Sequence, residues 1–118
     1  MTIENQNFTI YTGNNANLEA LITEEDLVTP KNLTDATITW VLYDDDTDVI
    51  LVTKTNTDPT EINVTDAING LCTISLVPED TDEFSPTKAY SHQCIVEDFN
   101  GDITTVFSGT VIVKRSMI

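Results

Sequence analysis

The chain has 118 residues, 40% of them hydrophobic, and its 20 acidic and 5 basic side chains give a formal net charge of −15. This length is enough for one domain with a true core, placed at residues 1–118, and the charge argues against nucleic acid or an anionic membrane as a partner. No apolar run approaches the ~20 residues of a membrane span, and the first residues lack the features of a signal peptide, so we expect synthesis in a cytoplasm.

Short segments that alternate apolar and polar residues, as β-strands do, fill the first half of the chain. The clearest is 36–43, where every second residue from Ala36 to Leu42 is apolar. The segment 17–23 contains Glu and Ala and would permit a helix, but it is too short for one. The segment 49–54 is too apolar to have one fully wet face. Strands are predicted at 6–11, 17–23, 36–43, 49–54 and 61–65.

The second half reads as continuous β-structure. Two alternating segments, 70–76 and 88–97, are joined by a turn at 77–84. The pair Asn100-Gly101 is the strongest short-range hairpin signal, and it leads into a third strand at 103–113. We expect these three strands to form a meander. The first seventy residues should then supply a second layer over its apolar face.

The fold class follows from the number and spacing of these segments. About eight short strands, with turn signals between them and no sustained helical period, are typical of a sandwich or barrel. We therefore predict an all-β protein with two packed antiparallel sheets of about 7–9 strands. The core is predicted from in-phase alternation at Ile38, Trp40, Leu42, Cys72, Ile74, Leu76, Tyr90, Cys94 and Val96.

The two cysteines, Cys72 and Cys94, lie on the apolar faces of consecutive predicted strands. In a reducing cytoplasm we expect two buried, reduced thiols that lie close to each other or in the same core layer. A disulfide between facing sheets remains the alternative, because some β-sandwiches bridge their layers in this way.

The acidic turn at 44–48 is the one candidate for a metal site. Asp44, Asp46 and Asp48 have the alternate-residue spacing of a calcium loop. However, Val49 stands where that loop needs glycine, and Thr55 stands where it needs a bidentate glutamate. A solvated hairpin turn is the favoured interpretation, and we expect no cofactor.

The remaining candidates for chemistry are better explained as structure. His92 is the only histidine and is in phase with Tyr90 and Cys94, which indicates a core position with a satisfied ring. The acidic pair in residues 78–81 could suggest acid–base catalysis, but proline followed by acidic residues also begins a helical turn. Trp40 could stack on a ligand, although its phase indicates the core. No catalytic constellation is visible, so we expect no enzyme activity.

Several weak motifs occur in an order that resembles one known group of domains. Residues 32–40 (NLTDATITW) lead into the tryptophan strand, and 70–81 (GLCTISLVPEDT) combine glycine, strand and a Pro-Glu-Asp-Thr turn. The further matching segments are 7–13, 89–90, 97–101, 105–106 and 108–111. Together they resemble the immunoglobulin-like β-sandwich domains of tailed-phage particles, as in upper baseplate proteins and small neck, tail or head-fibre proteins.

This resemblance implies a virion structural module, made in the host bacterial cytoplasm, that holds other particle proteins in place without catalysis. Upper baseplate proteins continue beyond the sandwich, whereas this sequence ends at Ile118, which favours a small accessory protein. Tyr90 lies four residues before Cys94 rather than two, so the antibody tyrosine corner does not transfer by position.

The expected partners are other virion proteins, with self-association in a symmetric ring or array as a further option, and neither nucleic acid nor membrane. An open sandwich leaves edge strands that can pair with another chain. The segments 8–11 and 49–52 are the candidate edges, since neither contains proline or lysine. The alternative function is a carbohydrate- or protein-binding adhesion module, which would need an exposed aromatic patch.

Overall fold

A computed structural model describes residues 8–12, 15–23, 29–81, 84–85 and 88–114. Each predicted strand is present there, close to its predicted bounds, and the helical turn after Val77 is formed. The elements are β1 (Phe8–Tyr11), β2 (Ala16–Leu21), β3 (Thr37–Asp44), β4 (Ile50–Thr55), β5 (Ile62–Asp66), β6 (Leu71–Leu76), α1 (Pro78–Thr81), β7 (Tyr90–Glu97) and β8 (Ile103–Lys114).

The strands form two sheets, one of five strands in the order β1-β8-β7-β3-β4 and one of three in the order β2-β6-β5. All neighbours are antiparallel except β1 and β8, which are parallel. The expectation of purely antiparallel sheets is therefore wrong for this pair. A parallel pair needs a long connection between its strands, and nearly the whole chain lies between β1 and β8.

The predicted meander is also wrong. Strand β6 lies in the three-stranded sheet, whereas β7 and β8 lie in the five-stranded sheet, and the segment containing α1 carries the chain between them. The first seventy residues do not form a separate layer, because β1, β3 and β4 join β7 and β8. In-phase alternation is satisfied equally well by strands that face each other across a core and by strands that lie side by side.

This arrangement has a known counterpart. Strands β3, β7 and β8 take the places of strands C, F and G of an antibody-type domain, with β4 added beside β3 as in the variable type. Strands β2, β6 and β5 take the places of B, E and D. The fold is an immunoglobulin-like β-sandwich.

One cluster of buried side chains lies between the two sheets and holds them together. Every core residue named from the sequence is buried, and Ile38, Trp40, Leu42 and Cys94 have no exposed surface. Further members of this cluster are Ile10, Ile22, Leu33, Ala36, Val52, Ile62, Val106, Phe107, Val111 and Val113.

Two contacts of Tyr90 attach the beginning of β7 to the segment that precedes it. Its hydroxyl accepts a hydrogen bond from the backbone N–H of Ser85 at 2.9 Å, and its ring stacks on Phe84 with centroids 4.8 Å apart. An antibody tyrosine corner likewise ties its hydroxyl to backbone a few residues upstream. The anchoring contact is therefore present although its spacing from Cys94 differs.

Candidate functional site

His92, the only histidine in the sequence, is buried in the core. The indole N–H of Trp40 donates to Nδ1 of His92 at 3.1 Å, and the His92 ring also lies against Phe107, with centroids 5.7 Å apart. His92 is only 2% exposed. Because Nδ1 accepts this bond, the proton of the neutral ring is on Nε2. The ring is thus a buried structural partner of Trp40 and is not presented to a substrate.

Both cysteines are unbonded and buried. Burial raises the pKa of the Cys72 thiol to about 11. Burial, with a smaller contribution from nearby Cys72, also raises the pKa of Cys94 well above its usual value. Thiols in this state are neutral at pH 7 and are poor nucleophiles. Antibody-type domains bridge strands B and F, but here the B-strand position opposite Cys72 is Ala20, so the second cysteine lies one strand away.

We expect both thiols to resist alkylation in the native protein and to react once it unfolds. The unfolded thiols titrate near the ordinary value of 9.0, whereas Cys72 titrates at about 11 in the fold. Stability should therefore fall as the pH rises from about 9 through 11, because only the unfolded state releases these protons in that window. The accessibility of the thiols is measured by mass spectrometry after alkylation of the native and of the denatured, unreduced protein. Two thiols still unmodified after denaturation would mean a native disulfide. Cys72→Ala should make the alkaline decline in stability shallower without abolishing it, because the pKa of Cys94 is also raised in the fold.

The acidic turn does not assemble a metal site. The carboxylate of Asp44 accepts the backbone N–H of Asp46 at 2.9 Å and lies 3.6 Å from the ammonium group of Lys88. The backbone N–H of Asp46, more weakly that of Thr47, and the ammonium group of Lys88 lower the pKa of Asp44, and partial burial opposes them. Asp46 and Asp48 are exposed. Among the described residues, no three His, Cys, Asp or Glu side chains are placed to hold a metal, and the Asp44 carboxylate instead bonds within its own turn.

The acidic pair of α1 does not form a catalytic dyad. Asp80 accepts the backbone N–H of Val77 at 2.9 Å and pairs with Lys54 of β4 at 2.8 Å. Lys54 is buried and faces inward, which the sequence interpretation missed. The available signal was its phase, since Lys54 lies two residues after Val52 and therefore on the same face.

The two edges proposed from the sequence are the outer strands of the five-stranded sheet. At the β4 edge, Val49, Ile50 and Leu51 are 54%, 58% and 44% exposed. The prediction that segment 49–54 has no fully solvent-exposed face is wrong. The register shifts after Leu42, and within this segment only Val52 and Lys54 are buried. The strand also runs to Thr55 and so contains a lysine, although the part at 49–52 does not.

The tip of the β7–β8 hairpin carries a second exposed apolar group. Gly101 has φ +86°, and its N–H donates to the carbonyl of Asp98 at 2.9 Å. This turn leaves Phe99 74% exposed, with Ile103 beside the turn 70% exposed. The predicted Asn-Gly turn thus presents one aromatic ring to solvent.

Comparisons with known proteins place few constraints on function. No family model matches the chain, and no curated protein matches it. Among solved structures, one of murine CRIg superimposes with a TM-score of 0.45 at 7% identity, covering 94% of this chain and 92% of that one. Within the described residues, no helix is long and apolar enough to cross a bilayer.

Proposed function

We propose that this protein is a non-catalytic structural component of a tailed-phage particle, located in the tail, neck, baseplate or capsid accessory structures. There it binds neighbouring virion proteins. The observation that carries the proposal is the β4 edge, defined here as Val49, Ile50 and Leu51, where three consecutive apolar side chains are exposed beside an open sheet edge. An exposed edge strand offers unpaired backbone groups to another chain, and its side chains add apolar contact.

The placement of the reactive groups supports binding rather than catalysis. His92, Cys72 and Cys94 are the residue types that most often carry nucleophilic or acid–base chemistry, and all three are buried in the shared core. Catalysis requires a reactive group that can reach its substrate. In the described part of the chain, these groups are sealed between the sheets.

The charge supports assembly with basic partners. A net charge of −15 keeps free copies apart in the host cytoplasm and steers them toward basic patches on other proteins. Such contacts between exposed charges are screened beyond about 8–10 Å at ordinary ionic strength. Attachment that depends on them should therefore weaken in high salt.

The test is mass spectrometry of purified virions from the source phage, before and after a high-salt wash. We expect the chain in intact particles and a reduced amount after the wash. A matched pair of variants then tests the β4 edge. Leu51→Lys places a charge in that edge, and Leu71→Lys makes the same change at a site of similar exposure, 41% against 44%, on the other sheet.

In particles assembled with these variants, Leu51→Lys should be depleted at least severalfold and Leu71→Lys should be incorporated normally. Absence of the unmodified chain from intact particles would end the virion proposal. Equal incorporation of both variants would leave the particle role standing but would refute the β4 edge as the contact.

A second candidate function is an adhesion module that binds carbohydrate or protein, and Phe99 is the observation that favours it. The ring is exposed at the tip of a two-stranded hairpin, where it can meet a surface. This function predicts that Phe99→Ala abolishes binding of the purified protein to host cells. It also predicts that Leu51→Lys does not affect that binding.

A further inference from the structure

The chain contains two Asn-Gly pairs, and each lies in a hairpin turn. Asn69-Gly70 joins β5 to β6, and Asn100-Gly101 joins β7 to β8. An asparagine side chain can react with the backbone nitrogen of the next residue, and this reaction is easiest before glycine, which has no side chain to block the approach. The dipeptide alone would make the two pairs equally reactive, but their surroundings in the fold are different.

The first pair is restrained by its neighbours. Nδ2 of Asn69 donates to Oδ2 of Asp66 at 2.8 Å, and the Asn69 backbone N–H donates to Oδ1 of the same carboxylate at 3.3 Å. Gly70 is buried, its carbonyl accepts the N–H of Ile22 at 2.8 Å, and an added Cβ would lie 3.0 Å from the carbonyl oxygen of Lys31. A bond between the Asn69 side chain and the Gly70 nitrogen would therefore require this segment to leave its neighbours.

The second pair is exposed and has open space around it. Asn100 is fixed through its backbone N–H, which donates to Oδ1 of Asp98 at 2.9 Å, whereas its side-chain amide has no hydrogen-bond partner in the described part of the chain. Both Asn100 and Gly101 are exposed. The Gly101 N–H donates to the carbonyl of Asp98 at 2.9 Å, so one bond of a solvent-exposed turn has to open. Such local opening costs far less than displacing packed backbone.

We propose that Asn100 is a site of spontaneous deamidation in the folded protein. The Gly101 nitrogen, once base has removed its proton, attacks Cγ of Asn100. The new C–N bond closes a cyclic succinimide, and the side-chain nitrogen takes up a proton from water and leaves as ammonia. Water then opens the ring at either carbonyl, which gives aspartate or isoaspartate. The overall change consumes water and releases ammonia, and it requires no oxidant, reductant or enzyme.

The product changes the tip of the β7–β8 hairpin in charge and in shape. It adds a carboxylate next to Phe99, whose ring is 74% exposed. In isoaspartate the main chain also runs through the former side chain, which lengthens the turn by a methylene group. Turn geometry sets the register of a hairpin, and this turn depends on bonds from Asn100 and Asp102 to Asp98. The tip of an old copy therefore differs from that of a newly made one.

The experiment compares the two pairs within the same purified chain during incubation in ¹⁸O-labelled water. Peptide mapping with electron-transfer dissociation locates each conversion and distinguishes aspartate from isoaspartate. In the folded protein, we expect Asn100 to convert at least about tenfold faster than Asn69, because the hydrogen bonds of Asn69 must break first. The product should carry the labelled oxygen, and the rate should rise with pH. In guanidinium-denatured protein the two rates should agree within about threefold, since local protection is then lost.

Two variants test the physical cause. Asp66→Ala removes the acceptor for Asn69 and should speed conversion of Asn69 without changing that of Asn100. Gly101→Ala places a methyl group beside the attacking nitrogen and should slow conversion of Asn100 severalfold. Circular dichroism melting checks that both variants are folded.

The comparison of folded and denatured unmodified chain decides the proposal even if a variant does not fold. Asn100 that stays unconverted in the folded chain while it converts in the denatured chain would overturn the proposal. Equal rates at Asn69 and Asn100 in the folded chain would overturn it as well. The proposal is independent of a virion role, because the reaction involves only this chain and water.

Discussion

Replacing Trp40 with alanine should lower the free energy of unfolding by about 3–5 kcal/mol, the loss expected for removing a large aromatic side chain from a closed core. Trp40 has no exposed surface, and within the five-stranded sheet it pairs with Lys54 on one side and Cys94 on the other. The change also removes the donor to His92 and leaves a buried acceptor without it. Urea unfolding followed by circular dichroism measures the loss without relying on tryptophan fluorescence.

Two further variants separate packing from the hydrogen bond. Trp40→Phe keeps most of the ring volume but lacks the N–H, so it should cost about 1–3 kcal/mol. Val41→Ala changes the next residue, which lies on the opposite, partly exposed face of β3, and should cost about 1 kcal/mol or less. A Trp40→Ala protein as stable as the unmodified chain would refute the shared core described here.

Gly70→Ala should destabilise the protein by at least about 3 kcal/mol, because two separate penalties fall on one residue. Gly70 has φ +72°, a conformation that costs an L-residue with a side chain about 1–2 kcal/mol. An added Cβ would also lie 2.3 Å from the carbonyl oxygen of Ile22, which accepts the N–H of Lys31 at 2.8 Å. The backbone of the β5–β6 hairpin would have to move away from its neighbours.

Gly101→Ala is the matched control for this prediction. Gly101 also has a left-handed φ, +86°, but among the described residues no atom beyond its two chain neighbours lies within 4 Å of an added Cβ. Only the conformational penalty applies there, so the expected loss is about 1 kcal/mol. Thermal melting of the two variants side by side gives the comparison. Similar melting temperatures would show that the close approach to Ile22 can relax without cost.

Alternation in the sequence predicted which residues are buried, because a period of two fixes the face on which each side chain lies. It placed Cys72, Ile74 and Leu76 in the core, and they are buried there. The same period does not encode which strands become neighbours or in which direction they run. The sheet assignment of β6 and the parallel direction of β1 therefore had to come from the structure.

The candidate site was predictable only where a single residue determines the geometry. The Asn-Gly turn and the helical turn at Pro78 follow from local backbone preferences, and both formed. The partnership of Trp40 with His92, and that of Lys54 with Asp80, join residues far apart in sequence. The phase of Trp40, His92 and Lys54 along their strands assigns each to an inward face, but the partner of each depends on how the chain folds. The exposure of Ile50 to solvent likewise depends on a register shift that periodicity does not show.

The pairing order of the five-stranded sheet has a consequence for synthesis on the ribosome. Strand β1 hydrogen-bonds only to β8 within the described sheets, and the middle strand β7 is made long after its neighbour β3. The early strands therefore cannot complete their sheet until β7 and β8 have been made. Folds dominated by such distant pairings form in milliseconds to seconds. During that wait the exposed apolar strands of adjacent nascent chains on one messenger could join each other, and the acidic residues spaced between them supply the repulsion that keeps those chains apart.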